Sequence, residues 1–220
     1  MWITNEFKDR HVAPNMSRFT AATIPDMSAV SAGQDHWLGN FMLSTGTLRF
    51  VLDDAARRTW FSFLRRTMMA FREYAAARDS TVAYLTDPNP NAVSGYFIAI
   101  GHWEIFLGQA YHAWLLLGRK PLADGHKFYA KGDGSQIERL NRLYNRSKHT
   151  ETAINAGQFP PDGTLPVWLE NDGLYCTDGA LTFGEMAEVL RELAVWADAM
   201  QEPSTMRAKV QAHYGTSVAG

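Results

Sequence analysis

The fold of this chain is decided by a short basic stretch, residues 139–150, which reads Arg139-Leu-Asn-Arg-Leu-Tyr-Asn-Arg-Ser-Lys-His-Thr150. Its spacing is helical. At about 100° per residue, Arg142, Arg146 and His149 stand at i, i+4 and i+7 and share one helix face. Asn145 lies one turn before His149, at the edge of that face. The two leucines of the stretch point elsewhere, so the pattern predicts a helix that packs on one side and carries basic groups on the other.

Two interpretations of this basic face stay open. Guanidinium groups bind phosphate oxygens, and an imidazole titrates near neutral pH, so the cluster suits RNA cleavage or nucleotide binding. The alternative is a solvated helix end, because positive side chains near a helix C-terminus complement the helix dipole without having any function.

The composition indicates a folded core and excludes some classes of site. The 220 residues are 46% hydrophobic and include seven tryptophans, which argues against disorder. The formal net charge of −2 gives no general attraction to nucleic acid, so any such binding requires a local basic patch. Cys176 is the single cysteine, which excludes an intrachain disulfide and a cysteine-based zinc site and suits a cytoplasmic location.

We expect no membrane association. The N-terminus carries charges where a secretory signal would place its apolar stretch. The run Ile98–Gly118 has the length of a spanning helix, but His102, Glu104 and His112 lie within it and are unfavourable in lipid. A buried core helix in a soluble protein is the better interpretation. The sequence contains no motif for a metal or a cofactor, and we expect neither.

The chain divides into an irregular N-terminal arm over residues 1–47, a helical domain over 48–202 and a tail over 203–220. The arm is rich in Ser, Thr, Pro, Gly and Asn, and its scattered aromatics predict irregular structure or short strands packed on the domain.

Four helices of useful length and one β-hairpin are predicted in the domain. The first carries an apolar stripe, the third and fourth begin with capping-box spacing, and an Asn-Asp-Gly turn joins the two strands of the hairpin. A four-helix bundle buries four such helices, so the predicted class is all-α with a small hairpin before the last helix. The predicted helices run over 48–85, 94–117, 135–150 and 182–201, the strands over 167–170 and 174–177, and the stripe is Trp60, Leu64, Met68, Phe71 and Ala75.

This order of elements, with a third helix that ends in Asn-x-x-x-His, resembles the HEPN superfamily of helical bundles over about residues 48–202. The family motif is an arginine followed after four to six residues by a histidine, most often Arg-Asn-x-x-x-His. Asn145 and His149 match it, while Tyr144 stands at the arginine position. Arg142 preserves the looser form, with six residues between it and His149.

The resemblance implies a metal-independent ribonuclease that works as a homodimer with RNA or a nucleotide as its partner. His149 would then be the acid or base, Arg142 and Arg146 would stabilise phosphate charge, and Asn145 would position the substrate or cap the helix end. Degenerate family members are often binding or scaffolding modules, so Tyr144 keeps a non-catalytic interaction module open as the alternative. A third hypothesis for the function is a small-molecule-binding bundle whose pocket is lined by Trp103, Tyr111, Trp114 and Glu104.

Further residues complete the predicted site. Arg139, Arg146 and Lys148 extend the basic face of the third helix. On the first helix, Arg58 and Arg65 lie seven residues apart, and they either continue a phosphate-tracking groove or form an ordinary solvated face. Glu104 lies in an apolar run and must find a partner. We expect Glu104 and Tyr144 to support the residues of the site without contacting the ligand. Glu104 either orients His149 or Arg142 or makes a buried ion pair or hydrogen bond, for example with an arginine of the third helix.

Overall fold

The computed structural model describes residues 3–46, 54–89, 93–118 and 129–201. This part of the chain is mostly helical and contains one antiparallel sheet with the strand order β1-β2-β3. The elements are α1 (Asn5–His11), a 3-10 turn (Met16–Arg18), α2 (Ser28–Ser31), α3 (Gln34–Gly46), α4 (Asp54–Thr86), α5 (Val93–Leu117), α6 (Gln136–Lys148), α7 (Thr150–Asn155), β1 (Trp168–Glu170), β2 (Gly173–Cys176), β3 (Gly179–Thr182) and α8 (Phe183–Ala199).

The two long helices α4 and α5 pack along each other around interlocked aromatic rings. The ring of Trp103 meets Tyr74 edge to face at 5.4 Å and Phe106 at 5.7 Å between centroids. Its Nε1 donates to Thr81 Oγ1 at 3.0 Å. Buried aromatic pairs of this kind contribute beyond the area that they bury, and the buried indole has its hydrogen-bond partner.

The predicted apolar stripe of α4 is mostly confirmed. Trp60, Leu64 and Phe71 are buried and Met68 is half-buried. Ala75 is exposed, so its place in the stripe was wrong. The inward position in that turn belongs to Tyr74, which is buried.

Helix α5 is a core helix on one side only. Ile100, Trp103 and Leu107 are buried. On its outer side Ile98 is 57% exposed and Ile105 46% exposed. No helix in the described ranges is long and apolar enough to cross a membrane.

Helix α6 begins where its capping signal predicts. The Ser135 hydroxyl accepts the backbone N–H of Glu138 at 3.2 Å, and Leu140 and Leu143 are fully buried. The helix ends at Lys148, and His149 has non-helical backbone angles between α6 and the short helix α7. The sequence predicted that this helix runs to residue 150 and gave no prediction of α7.

The sheet extends the predicted hairpin by one strand. Two-residue turns, Asn171–Asp172 and Thr177–Asp178, join β1 to β2 and β2 to β3. The third strand was missed. It leads directly into α8, where Thr182 and Glu185 form the predicted capping box.

The N-terminal segment differs from the expected irregular arm or short strands, because residues 3–46 contain three helices and a 3-10 turn. Their own sequence signal is weak, and contacts with the rest of the chain fix them. Trp37 is 2% exposed, and its Nε1 donates to Asp198 Oδ1 of α8 at 2.7 Å. The tail over 203–220 lies outside the described residues.

Candidate functional site

An open groove of about 860 Å³ runs along the exposed side of α6, between α7 and the β2–β3 turn. We call it the α6 groove. Arg142, Arg146 and His149, predicted on one face, all line it, and so does Asn145 from the edge of that face. The other lining residues are Tyr129, Lys131, Gly132, Glu138, Asn141, Thr152, Ala153, Gln158 and Asp178.

Arg146 is held by two side chains outside α6, those of Asp178 in the β2–β3 turn and Gln158. Its Nη2 and Nε donate to the two oxygens of Asp178, at 2.9 and 3.2 Å, and Nη1 contacts Gln158. These hydrogen bonds lower the pKa of the Asp178 carboxyl below its usual value. The Asp178 side chain is 45% exposed, whereas that of Arg146 is 17% exposed. Solvent therefore reaches the pair on its carboxylate side, where an incoming anion can compete for Arg146.

Arg142 is paired with a buried carboxylate. Its Nη2 donates to both oxygens of Glu138, at 2.8 and 2.9 Å, and Nη1 donates to the backbone carbonyl of Asp178. Glu138 is 6% exposed. Hydrogen bonding to Glu138 raises the pKa of the Arg142 guanidinium. Removal of this arginine would leave a buried carboxylate without its cation, which is strongly destabilising, so Arg142 has a structural role as well as a place in the groove.

Arg139, predicted as a nucleic-acid contact, does not line the α6 groove. It forms a two-point pair with Glu185, at 2.5 and 3.0 Å, and also donates to the Ala180 carbonyl at 3.1 Å. Burial alone would raise the pKa of Glu185, but the hydrogen bonds from Arg139 and from the Thr182 N–H outweigh it and lower that pKa. Arg139 therefore joins α6 to the start of α8.

His149 and Asn145 present polar groups to the groove with few constraints. His149 is exposed, and its backbone N–H bonds the Asn145 carbonyl at 3.0 Å. Its imidazole has no hydrogen-bond partner among the described residues. The Asn145 amide donates to Asn141 Oδ1 at 2.9 Å. An unpaired imidazole beside two arginines is chemically able to exchange a proton with a bound ligand.

The two residues predicted to support the site lie on the other side of α6, against α5. Tyr144 donates to or accepts from His112 Nε2 at 2.9 Å and packs closely on Gly108. Glu104 lies near Ser147, whose hydroxyl counteracts part of the effect of burial on the pKa of this carboxyl. Among the described residues, neither Glu104 nor Tyr144 hydrogen-bonds the side chain of His149 or Arg142. Lys148 is on this side too, with its Nζ 5.6 Å from the centre of the Tyr144 ring.

The α4 arginines do not continue the α6 groove. Arg58 is exposed, and its nearest described carboxylate oxygen is that of Asp54 at 3.8 Å. Arg65 lines a separate pocket between α4 and α5. The two cavities share no lining residue among those described, so a single phosphate-tracking groove across both helices is not present here.

Among the groove residues that the sequence analysis missed, three contact its arginines: Glu138, Gln158 and Asp178. Glu138 was assigned only to the helix cap, although it lies four residues before Arg142 and so on the same face. Asp178 lies in an Asp-Gly turn, a signal that marks a hairpin and could have placed a carboxylate near a strand end. Gln158 carries no local signal.

Burial of Glu104 has a consequence for pH dependence. Burial raises its pKa above the usual 4.5, although the hydrogen bond from Ser147 opposes this. A raised folded-state pKa favours folding at acid pH, and that contribution is lost as the pH rises through the folded value. We expect Glu104→Gln to unfold at higher urea concentration than wild type at pH 7, with the difference shrinking as the pH falls toward 4.5. A constant difference across that range would contradict this.

Comparisons with known proteins find no match to a family model, to a curated protein or to a solved structure. Within the described ranges, no group of three His, Cys, Asp or Glu side chains is arranged to hold a metal ion. Burial raises the pKa of the Cys176 thiol to about 11, which disfavours its reactive thiolate form.

Proposed function

We propose that this protein is a HEPN-like, nucleic-acid- or nucleotide-associated protein of the cytoplasm, with α4, α5, α6 and α8 as its four-helix bundle. The observation that carries the proposal is the common lining of the α6 groove by Arg142, Asn145, Arg146 and His149. An open groove with guanidinium groups and an imidazole on one wall suits a phosphate-containing ligand.

Phosphate binding in this groove would use Arg146 first. The Arg146 side chain is 17% exposed, but its partner Asp178 is 45% exposed, and a carboxylate that water can solvate loses little when another anion takes its place. A phosphate oxygen can therefore replace Asp178, or share the guanidinium with it. Arg142 would keep Glu138 and offer its remaining N–H groups. The described groove lining carries three positive side chains (Lys131, Arg142 and Arg146) and two negative ones, so its net charge favours an anion.

The proposal extends to metal-independent cleavage of RNA. In that reaction His149 would take the proton of the ribose 2′-hydroxyl or give one to the leaving oxygen. Arg146 would stabilise the charge that develops on the phosphate, and Asn145 would orient the nucleotide.

Binding is tested by changing Arg146 and its partner in opposite directions. We expect Arg146→Ala to weaken binding of single-stranded RNA about tenfold and to reduce the slope of log affinity against log salt by about one. Asp178→Asn should strengthen binding, because it removes a negative charge and releases the guanidinium. Fluorescence anisotropy at several salt concentrations measures both.

The exposed pair Arg57–Asp54 on α4, at 2.6 Å, provides matched controls. Arg57→Ala and Asp54→Asn change the net charge by the same amounts away from the groove, and both should leave RNA affinity nearly unchanged. Equal effects of the two pairs would mean that overall charge, not the α6 groove, governs binding. No RNA binding by any of the proteins would remove the phosphate role of Arg146.

A second candidate is a non-catalytic, homodimeric interaction module. What favours it is the outer face of α5, where Phe97, Ile98 and Ile105 are each 45% exposed or more. Gly101 lies between them with open space around its Cα, which lets a second helix approach closely. Exposed apolar patches of this kind often mark contact surfaces.

The dimer is tested by Ile98→Asp combined with Ile105→Asp. We expect the wild type to sediment as a dimer at micromolar concentration and the double variant as a folded monomer, because a charge at the centre of an apolar interface is unfavourable. Val82→Asp with Val195→Asp, at exposed positions on α4 and α8, is the control. A wild type that is already monomeric at high concentration would contradict the homodimer.

A further inference from the structure

A second cationic pocket lies between α4 and α5, on the side of α6 opposite the α6 groove. It has a volume of about 290 Å³, and we call it the α4–α5 pocket. Its described lining is Ser62, Arg65, Arg66, His112, Leu115 and Leu116. The three α4 residues stand at i, i+3 and i+4 and therefore share one face.

The positive charges of this pocket are not compensated as those of the α6 groove are. Arg66 Nη1 donates to the neutral Gln109 Oε1 at 2.8 Å. No described carboxylate lies within salt-bridge distance of Arg65 or Arg66, and none lines the pocket. Arg139, Arg142 and Arg146, by contrast, each hold a carboxylate. The α4–α5 pocket thus has guanidinium groups without an anionic partner in the described chain.

His112 lies within the same positive field. Its Nε2 is 2.9 Å from the Tyr144 hydroxyl. Burial lowers the pKa of the His112 ring, and the charges of Arg66 and Lys148 lower it further. On α4 the next acidic residue along this face is Glu73, one heptad from Arg66 and so about 10 Å along the helix. Its Oε2 lies 2.9 Å from His102 Nδ1, which already occupies this carboxylate.

We propose that the α4–α5 pocket binds a phosphate group. Arg65 and Arg66 would contact its oxygens, Ser62 would donate a hydroxyl hydrogen bond, and His112 would complete the site from α5. The volume is at the small end for ligand sites, which suits a single phosphate with little attached to it. The group can come from free phosphate, a mononucleotide or an RNA chain. The site is separate from the α6 groove, because the two share no described lining residue.

The test follows the imidazole signals by NMR while the full chain is titrated with inorganic phosphate, with AMP and with a short single-stranded RNA. We expect the His112 signal to shift and its pKa to rise as phosphate binds, because the anion offsets the neighbouring cations. His102 is the internal control, since its carboxylate partner is already in place, and its signal should not move.

Variants then assign the site. Arg65→Ala with Arg66→Gln should weaken phosphate binding at least tenfold, whereas Arg66→Lys, which keeps the charge, should retain most of it. Arg57→Ala, which removes an α4 arginine that pairs with Asp54 and does not line the pocket, should leave the phosphate-induced shift of His112 unchanged. A circular-dichroism melt of each variant verifies its fold.

Each ligand's result has a definite meaning. A His112 shift with all three ligands supports a site for the phosphate group itself, and a shift with AMP or RNA alone supports a site for a phosphate ester. The proposal is overturned if none of the three moves His112, or if the Arg65→Ala, Arg66→Gln variant binds phosphate as tightly as the wild type.

Discussion

Replacement of His149 by alanine should reduce the rate of RNA cleavage at least 100-fold in the absence of added metal, while RNA affinity changes little. A positioned general acid or base contributes about 10²–10⁴-fold to a rate. His149 lines the α6 groove with Arg142 and Arg146, and its imidazole has no described partner that would withhold it from a ligand. Single-turnover cleavage of a labelled RNA measures the rate, and anisotropy measures the affinity.

The matched control is His36→Ala, because His36 is likewise an exposed histidine but lies on α3. This variant should cleave at the wild-type rate. Equal cleavage by wild type and His149→Ala, or no cleavage by either, would remove the nuclease proposal. Loss of RNA binding together with cleavage in His149→Ala would assign the histidine to binding instead of proton transfer.

The elements that could be predicted from the sequence are those whose signals are local. Ser135 with Glu138, and Thr182 with Glu185, are three residues apart, and each hydroxyl caps its helix as expected. The full capping box forms only at Thr182, because the Glu138 carboxylate pairs with Arg142 instead. The segment over residues 3–46 lacks such signals. Its helices depend on distant partners, such as Asp198 for Trp37, 161 residues away, which no local pattern can reveal.

The candidate site likewise contains some residues that a local pattern could place and others that only the folded chain brings together. Helix periodicity was sufficient to place Arg142, Arg146 and His149 on one face. The carboxylate that holds Arg146 comes from a turn 32 residues further along, so only the folded chain brings it there. Tyr144 is a different case, since two residues, or about 200° of helix rotation, separate it from Arg142. That rotation places Tyr144 against α5, on the side of α6 that faces away from the groove.

Gly173 on β2 has no room for a side chain. We expect Gly173→Ala to reduce the free energy of unfolding by about 3 kcal/mol or more. A Cβ at this position would lie 2.3 Å from the Leu181 carbonyl oxygen and 2.7 Å from Thr182 Cα. Both are backbone atoms of β3, so no side-chain rotation can relieve the overlap, and β2 and β3 must separate.

The expected fall in melting temperature is roughly 6–12 °C, at about 2–4 °C per kcal/mol for a chain of this size. Gly39→Ala on α3 is the control, because none of the described residues lies within 4 Å of a Cβ at that position and alanine is the better helix former; its melting temperature should stay or rise. Since Thr182 is both the β3 residue paired with Gly173 and the cap of α8, separation of the strands here would also disturb the start of α8. Asp178 and its partner Arg146 lie at the other end of this strand pair, so the salt dependence of RNA binding should change little below the melting point. An unchanged melting temperature would show that the strands accommodate a methyl group.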